Sequence, residues 1–280
     1  MIEVTPSDAR YPPRLRHLTR PPDPLWIDGD ETALTARSVA IVGTRRMTGY
    51  GERVAREIAG ACAAANVMVV SGFAQGIDSA AHRGALDAGG NTVAVLGEGI
   101  ALFIGTVRGR RRLLVPRVRA HGALVSEYAP TFGARSWTFA KRNATIAALP
   151  EAVVVVEAGE RSGALITAGD ARRLGRTLYA VPGPLGSAAS VGTNALIECG
   201  AARALVSVDA LLDALGLQAP TAISAPTDSI LEALAVGALD ADALRRSVRV
   251  TEDELADRLM RLALAGRVTQ TPDGRYRRRE

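Results

Sequence analysis

The chain has almost no lysine: of its 34 basic residues only Lys141 is one, the rest being arginine. Arginine in place of lysine, together with abundant alanine, is what a GC-rich genome produces, so arginine counts alone carry reduced weight. A lysine kept against that bias points to a compact cation used where a planar guanidinium is not equivalent, as on a phosphate. Cysteine is nearly as scarce. Cys62 and Cys199 stand alone, which excludes a disulfide framework, and each sits in the apolar helical pattern of an inert core thiol. The three histidines, His17, His82 and His121, have no ligand spacing among themselves or with the cysteines, so no metal is expected. No apolar run approaches about 20 residues, which excludes a membrane-spanning helix. Met1–Thr5 has neither the basic nor the apolar region of an export signal, and a reducing cytoplasm is the expected compartment.

What the chain does have is length, apolar content and an uneven charge. Its 280 residues, 48% of them hydrophobic, suffice for one large α/β domain and a small module. Residues 1–227 carry 24 Lys and Arg against 19 Asp and Glu, whereas residues 228–280 carry 10 of each. The net charge of +5 therefore belongs to the first part, where it favours a polyanionic partner.

Residues 1–37 form a Pro-rich N-terminal extension that ends in Leu25-Trp26-Ile27, a candidate edge strand. From residue 38 to 216 short apolar runs alternate with helical periodicity. Strands are expected at about 39–43, 67–71, 92–97, 123–126, 152–157, 177–181 and 204–207. Helices are expected at about 50–65, 75–88, 139–149, 163–174, 190–199 and 208–215. Continuous apolar strands separated by helices describe an α/β fold, a doubly wound and mostly parallel sheet. Residues 217–227 read as a linker. Residues 228–280 then offer three short helices and a hairpin around Thr271-Pro272-Asp273-Gly274, the pattern of a small C-terminal winged helix.

Four predicted strand ends break into glycine-rich loops. The second is Ser71-Gly72-Phe73-Ala74-Gln75-Gly76, which feeds a helix starting near Gln75; taken alone it reads first as a tight turn that needs glycine, and convergence with the other loops favours a phosphate cradle. The others are Gly43-Thr44-Arg45-Arg46, the stretch from Glu157 through Ser162 and Gly163 to Thr167, and Val181–Ser187. In a parallel sheet such loops meet in one crevice. The crevice lacks the G-x-G-x-x-G of a dinucleotide site and the Walker loop of an NTPase. Asp78 and His82, four apart on one helical face, read as a structural brace rather than an acid–base pair. Glu157 is placed to anchor loop N–H groups or, as the other possibility, to act as a base. Phe139-Ala140-Lys141-Arg142-Asn143 combines a ring, two cations and an amide, which suits single-stranded nucleic acid, although Phe139 fits a core position as well. The run Arg108-Gly109-Arg110-Arg111-Arg112, with Arg117 and Arg119, adds basic surface or a merely solvated face.

Val39–Arg45, Ser71–Asp78 with His82, Ser126-Glu127-Tyr128, Phe139 with Arg142-Asn143, Glu157-Ala158 with Ser162-Gly163 and Thr167, and Gly192–Ile197 with Gly200-Ala201 together resemble the DprA (Smf) DNA-processing proteins. The resemblance runs from about residue 11 to 215. It implies a Rossmann-like domain that binds single-stranded DNA without hydrolysing it, works as a homodimer, protects incoming strands in natural transformation and helps load a RecA-type recombinase. It implies no cofactor. The implied DNA contacts are Gly43, Thr44, Arg45, Arg46, Ser71, Gly72, Gln75, Gly76, Lys141, Arg142, Asn143, Ser162, Gly163, Thr167 and Asn194, with Phe139 stacking on a base. Three departures stand out: Phe103-Ile104-Gly105-Thr106 replaces the family's Tyr-Pro and Asn, Ala140 its Pro, and Ala144 its Arg. A phosphoribohydrolase of the lysine-decarboxylase-like (LOG) group is the alternative, although its P-G-G-x-G-T-x-x-E motif is absent. A pure adaptor acting through the winged helix is a third reading.

Overall fold

The computed structural model describes residues 1–217, 229–235, 237–248, 250–264, 266–271 and 273–278. It divides into two compact units, Met1–Ala219 and Pro220–Glu280. The expected linker, 217–227, lies outside the described residues except for Leu217.

The first unit is built on a nine-stranded sheet. Its strands are β1 (Ile2–Val4), β2 (Leu25–Gly29), β3 (Ser38–Val42), β4 (Met68–Ser71), β5 (Thr92–Leu96), β6 (Gly122–Ser126), β7 (Ala152–Val155), β8 (Thr177–Ala180) and β9 (Arg203–Ala204). They lie in the order β1-β2-β6-β5-β4-β3-β7-β8-β9. All pairs from β6 to β9 are parallel, while β2 runs antiparallel to both β1 and β6. Residues 25–27 are thus not an edge. Ile2–Val4, which carries no strand signal of its own in three residues, covers them.

Why the central strands read as unbroken apolar runs is visible in β3. Ala40 and Val42 enter one core together with Val70, Val93 and Ile146, whereas Val39 and Ile41 enter the other with Ile58, Val69 and Ile77. Both faces of a parallel sheet are covered by helices, so both alternate positions are buried and mostly apolar, and the few hydroxyls among them, such as Ser71 and Thr92, donate to backbone carbonyls. One layer includes α1 (Gly49–Ala64) and α2 (Ile77–Asp87), which pack on each other; α5 (Ser136–Ala148) and α6 (Ala164–Arg173) lie in the other. The remaining helices of this unit are α3 (Ile100–Thr106), α4 (Leu114–Ala120), α7 (Val191–Glu198) and α8 (Val208–Ala214).

Helices α3 and α4 are the α-helices of this unit that sequence periodicity did not reveal. Each is only seven residues long, and a short 3₁₀ turn at Gly109–Arg111 separates them, so neither completes two apolar turns. They fold because Ile100, Phe103, Val107, Leu114, Val115 and Val118 join Phe73, Leu96 and Leu124 in a third cluster. Tertiary burial rather than helix propensity stabilises them.

In the second unit α9 (Ser229–Ala233), α10 (Ala241–Val248) and α11 (Glu252–Leu264) precede β10 (Val268–Gln270) and β11 (Tyr276–Arg278), which pair antiparallel. Ile230, Leu231, Leu234, Leu244, Leu255, Leu259, Leu262 and Val268 form its separate core.

Candidate nucleic-acid interface

The strand order reverses at β3. From there the chain runs outward through β4, β5 and β6, then returns to place β7 on the other side. Loops leaving β3 and β7 therefore diverge and open a crevice at the carboxyl ends of these strands. It holds a cavity of about 450 Å³, walled by the loop after β3, the turn after β4, the loop before α6 and the first turns of α5.

Three of the four glycine-rich loops converge there, but not as expected. The turn after β4 is occupied by the chain's own carboxylate. Asp78 is buried and accepts from Ala74 N at 3.2 Å, with the backbone N–H groups of Gly72 and Gly43 also directed at it. A helix N-terminus attracts an anion, and here the anion is internal, which replaces the phosphate-cradle reading at α2. The first turn of α1 repeats the device. Glu157, also buried, accepts from Thr48 N at 2.9 Å and Thr48 Oγ1 at 2.5 Å, while Thr48 Oγ1 accepts from Gly51 N at 3.1 Å. Glu157 is the loop anchor, not a free base.

Arg142 is the counter-charge to Asp78. It is 4% exposed and donates through Nη1 to Gly72 O at 2.5 Å and Val95 O at 2.6 Å. Burial pushes the Asp78 carboxyl above its ordinary range, against the pull of Arg142 and the backbone amides. Burial likewise lowers Arg142, with Asp78 opposing. Arg142 thus lines the crevice and at the same time holds the ends of β4 and β5 to α5. Ser71 is purely internal, its hydroxyl donating to Ile41 O at 2.6 Å. The brace expected between Asp78 and His82 is not made. His82 Nδ1 instead meets Thr92 Oγ1 at 2.7 Å, and burial depresses the imidazole to about 3.

The exposed side of the crevice is cationic and aromatic. Thr138 fixes the first turn of α5: its hydroxyl donates to Gly97 O at 2.5 Å and accepts from Arg135 N at 3.1 Å. Phe139 follows, half-buried against Gly97, where a Cβ would come within 2.6 Å of the ring. Exposed Arg45 sets its guanidinium 5.6 Å from the Phe139 centroid, and Arg142 lies 5.9 Å from the same ring. Phe139 is therefore a wall of the site rather than a core residue. Asn143 Nδ2 donates to Gly163 O at 3.2 Å and ties α5 to the loop before α6.

Of the residues expected to form the site, Gly43, Thr44, Arg45, Arg46, Phe139, Arg142, Asn143, Ser162, Gly163 and Thr167 line the main cavity. Gly72 and Gln75 line an adjoining one of about 250 Å³. Gly76, at φ +86°, lies against the backbone of Thr44 and Arg45, a contact only glycine allows. Lys141 and Asn194 line neither cavity. Lys141 turns away to pair with buried Glu127 at 3.1 Å. Asn194 exchanges hydrogen bonds with the Gly183 backbone at 3.0 and 3.1 Å, so the fourth loop, 181–187, is held outside the crevice. Cys62 is buried as expected, whereas Cys199 is exposed at the end of α7.

Sequence reasoning missed Ser136 and Ile166, which also line the cavity, and an aromatic group at the first turn of α5. Tyr128 stacks on Phe132 at 4.9 Å, and Trp137, 55% exposed, meets Tyr128 edge-on at 6.0 Å. Three rings within ten residues of a chain only 4% aromatic were the available signal.

Residues 3–216 match the model of the DNA recombination-mediator protein A family. The chain belongs to that family. It is 40% identical over 201 residues to protein Smf of Escherichia coli, covering 71% of this chain and 53% of that protein. The chain spans about half the length of the first curated relatives it matches. The DprA structure of Streptococcus pneumoniae superposes with a TM-score of 0.69 at 33% identity, over 76% of this chain and 73% of that one. The Helicobacter pylori DprA structure, described in terms of its single-stranded DNA binding mode, gives 0.67 at 27% identity, over 76% and 95%. These superpositions agree with the Rossmann-like, mostly parallel sheet of the first unit.

Proposed function

We propose that this chain binds single-stranded DNA along the crevice without chemically altering it, as a DNA-processing protein of the DprA type. One observation carries the reading: an accessible ring, Phe139, set beside two guanidinium groups at 5.6 and 5.9 Å in a crevice whose carboxylates are already engaged. Rings stack on bases of any identity and cations follow the phosphates, so such a site takes a strand with little sequence preference. The relation to the Helicobacter pylori protein supports the same ligand. Hydrolysis of nucleotides at the glycosidic bond needs a free acid or base beside the sugar. Asp78 is spent on backbone amides and Arg142, and Glu157 on Thr48, which disfavours the phosphoribohydrolase reading.

The finer parts of the proposal follow the family. The strand would be one taken up in natural transformation, held in the cytoplasm by a homodimer that hands it to a RecA-type recombinase, and residues 228–280 would act as a winged helix. Fluorescence anisotropy with a labelled oligothymidylate, run beside an assay for base release from nucleoside monophosphates, tests the core of it. Binding without base release is expected; base release abolished by a crevice substitution contradicts it.

A further inference from the structure

Beside the two cavities that meet at Phe139 lies a third, of about 460 Å³, on the far side of Gln75. The first and second share Arg45, Phe139 and Arg142; the second and third share Gln75 and Arg111. The three therefore adjoin in series through shared walls, as a stepped groove with Phe139 at one junction and Arg111 at the other.

We propose that the third cavity is a second phosphate-binding segment of this groove, built by Arg108, Arg110 and Arg111 with Arg83, which holds the backbone of single-stranded DNA where it leaves Phe139. The inference rests on the strand-binding reading above and says where the strand continues. Among the described residues four guanidinium groups line this cavity and no carboxylate does. The nearby acids are engaged elsewhere or at its edge: Glu52 pairs with Arg83 at 3.4 Å, and Glu98 belongs to the second cavity, where burial raises its carboxyl above the ordinary range against the pull of Arg111. Arg83 Nε is nevertheless buried without a hydrogen-bond partner. Among the described residues no ion pair is made by Arg108, Arg110 or Arg111. Like charges gathered in a concavity raise the local potential and are relieved by a polyanion.

The segment is also held in shape. Val107 and Leu114 are buried on either side of it, Gly109 turns the chain at φ +63°, and Arg111 Nη1 donates to Phe73 O at 3.2 Å. Arg108 donates to Gly105 O at 2.8 Å, which fixes the first side chain of the run. A merely solvated charge run is not pinned in this way. By contrast Arg117 and Arg119, on α4, are neutralised by Asp87 and Asp28, each at 2.9 Å, and take no part.

The test uses the full chain, labelled oligothymidylates of about 6 and about 20 nucleotides, and two variants, Arg108→Gln/Arg110→Gln and the single exposed change Arg110→Glu, each checked by circular dichroism. The short strand should bind both variants within about twofold of the parent. The long strand should weaken about tenfold, with a slope of log K against log salt shallower by about 0.7 for each phosphate no longer neutralised. Arg45→Ala should weaken both lengths, which separates the crevice from its extension. Unchanged long-strand affinity and salt slope in Arg110→Glu, should the double variant not fold, overturns the proposal. So does equal weakening of both lengths, or a loss seen only with duplex DNA. A parent chain that binds neither strand overturns the strand-binding reading itself and this segment with it.

Discussion

Arg45 and Phe139 carry the residue-scale account. In the proposed complex Phe139 offers a face to a base, worth about 1–3 kcal/mol per stacked base. Arg45, exposed and resting on that ring, would in the same complex make a charge-assisted bond to the neighbouring phosphate, worth about 1.5–3 kcal/mol. Arg45→Ala and Phe139→Ala should each weaken oligothymidylate binding tenfold or more, about 1.4 kcal/mol, in a protein that still folds. Lys141→Ala should cost under about threefold, because its charge is spent on Glu127. Titration by anisotropy ranks the three, and Lys141 ranking with Arg45 would refute the assignment. Scarcity drew attention to Lys141, but scarcity reports composition; which way a side chain turns on α5 depends on buried Glu127, brought to it from beyond β6. Phe139 posed the opposite problem. Its neighbours in sequence fit a core or a wall, and only the bare surface at Gly97, distant in sequence, decides between them.

At the scale of elements, two helix N-termini are closed by buried carboxylates, and both are stability statements. Asp78→Ala leaves the Arg142 guanidinium buried without its counter-charge, and a loss of about 3–5 kcal/mol in urea unfolding is expected. A loss under 1 kcal/mol would show that Gly72 O and Val95 O alone satisfy Arg142. His82 on α2 gives a pH signature. Its folded pKa, about 3, lies below the unfolded value near 6.5, so between these pH values the unfolded chain holds the extra proton. Stability should therefore fall as pH drops through this window, by roughly 1 kcal/mol from pH 7 to pH 5.5. His82→Gln should remove that component of the slope; an unaltered slope would mean that other groups produce it. The sequence showed a helix with Asp and His four apart, and four-apart spacing implied they meet. Instead Asp78 faces the strand ends and His82 reaches Thr92 on β5, since each finds its partner outside the helix. The elements with strong apolar period, β3 to β8 and α1, α2, α5 and α6, were legible to within a few residues. Seven-residue α3 and α4 were not, because their order comes from the cluster they join.

At the scale of the whole molecule, the net positive charge resides in the first unit, and the second is balanced. The N-terminus of α11, the end by which a winged helix ordinarily meets base edges, starts with Thr251 Oγ1 accepting from Glu254 N at 3.3 Å, and Asp257 pairs with Arg261 at 2.8 Å. Acids there suit a helix N-terminus and repel phosphate. Deleting residues 220–280 should accordingly change single-strand affinity by less than about tenfold, or roughly 1.4 kcal/mol. Sequence-specific duplex binding that vanishes with the deletion would show the second unit to be a DNA reader. The central claim, that a cationic and aromatic crevice at the β3/β7 reversal grips a strand by its phosphates and bases, is tested most directly by a salt titration. Anisotropy of a labelled oligothymidylate is followed with the full chain and with Arg45→Ala from low to high salt. The account predicts tight binding at low salt, a steep linear fall of log K with log salt, and a shallower line for the variant. Binding insensitive to salt, absent at low salt, or identical in the two proteins would contradict it.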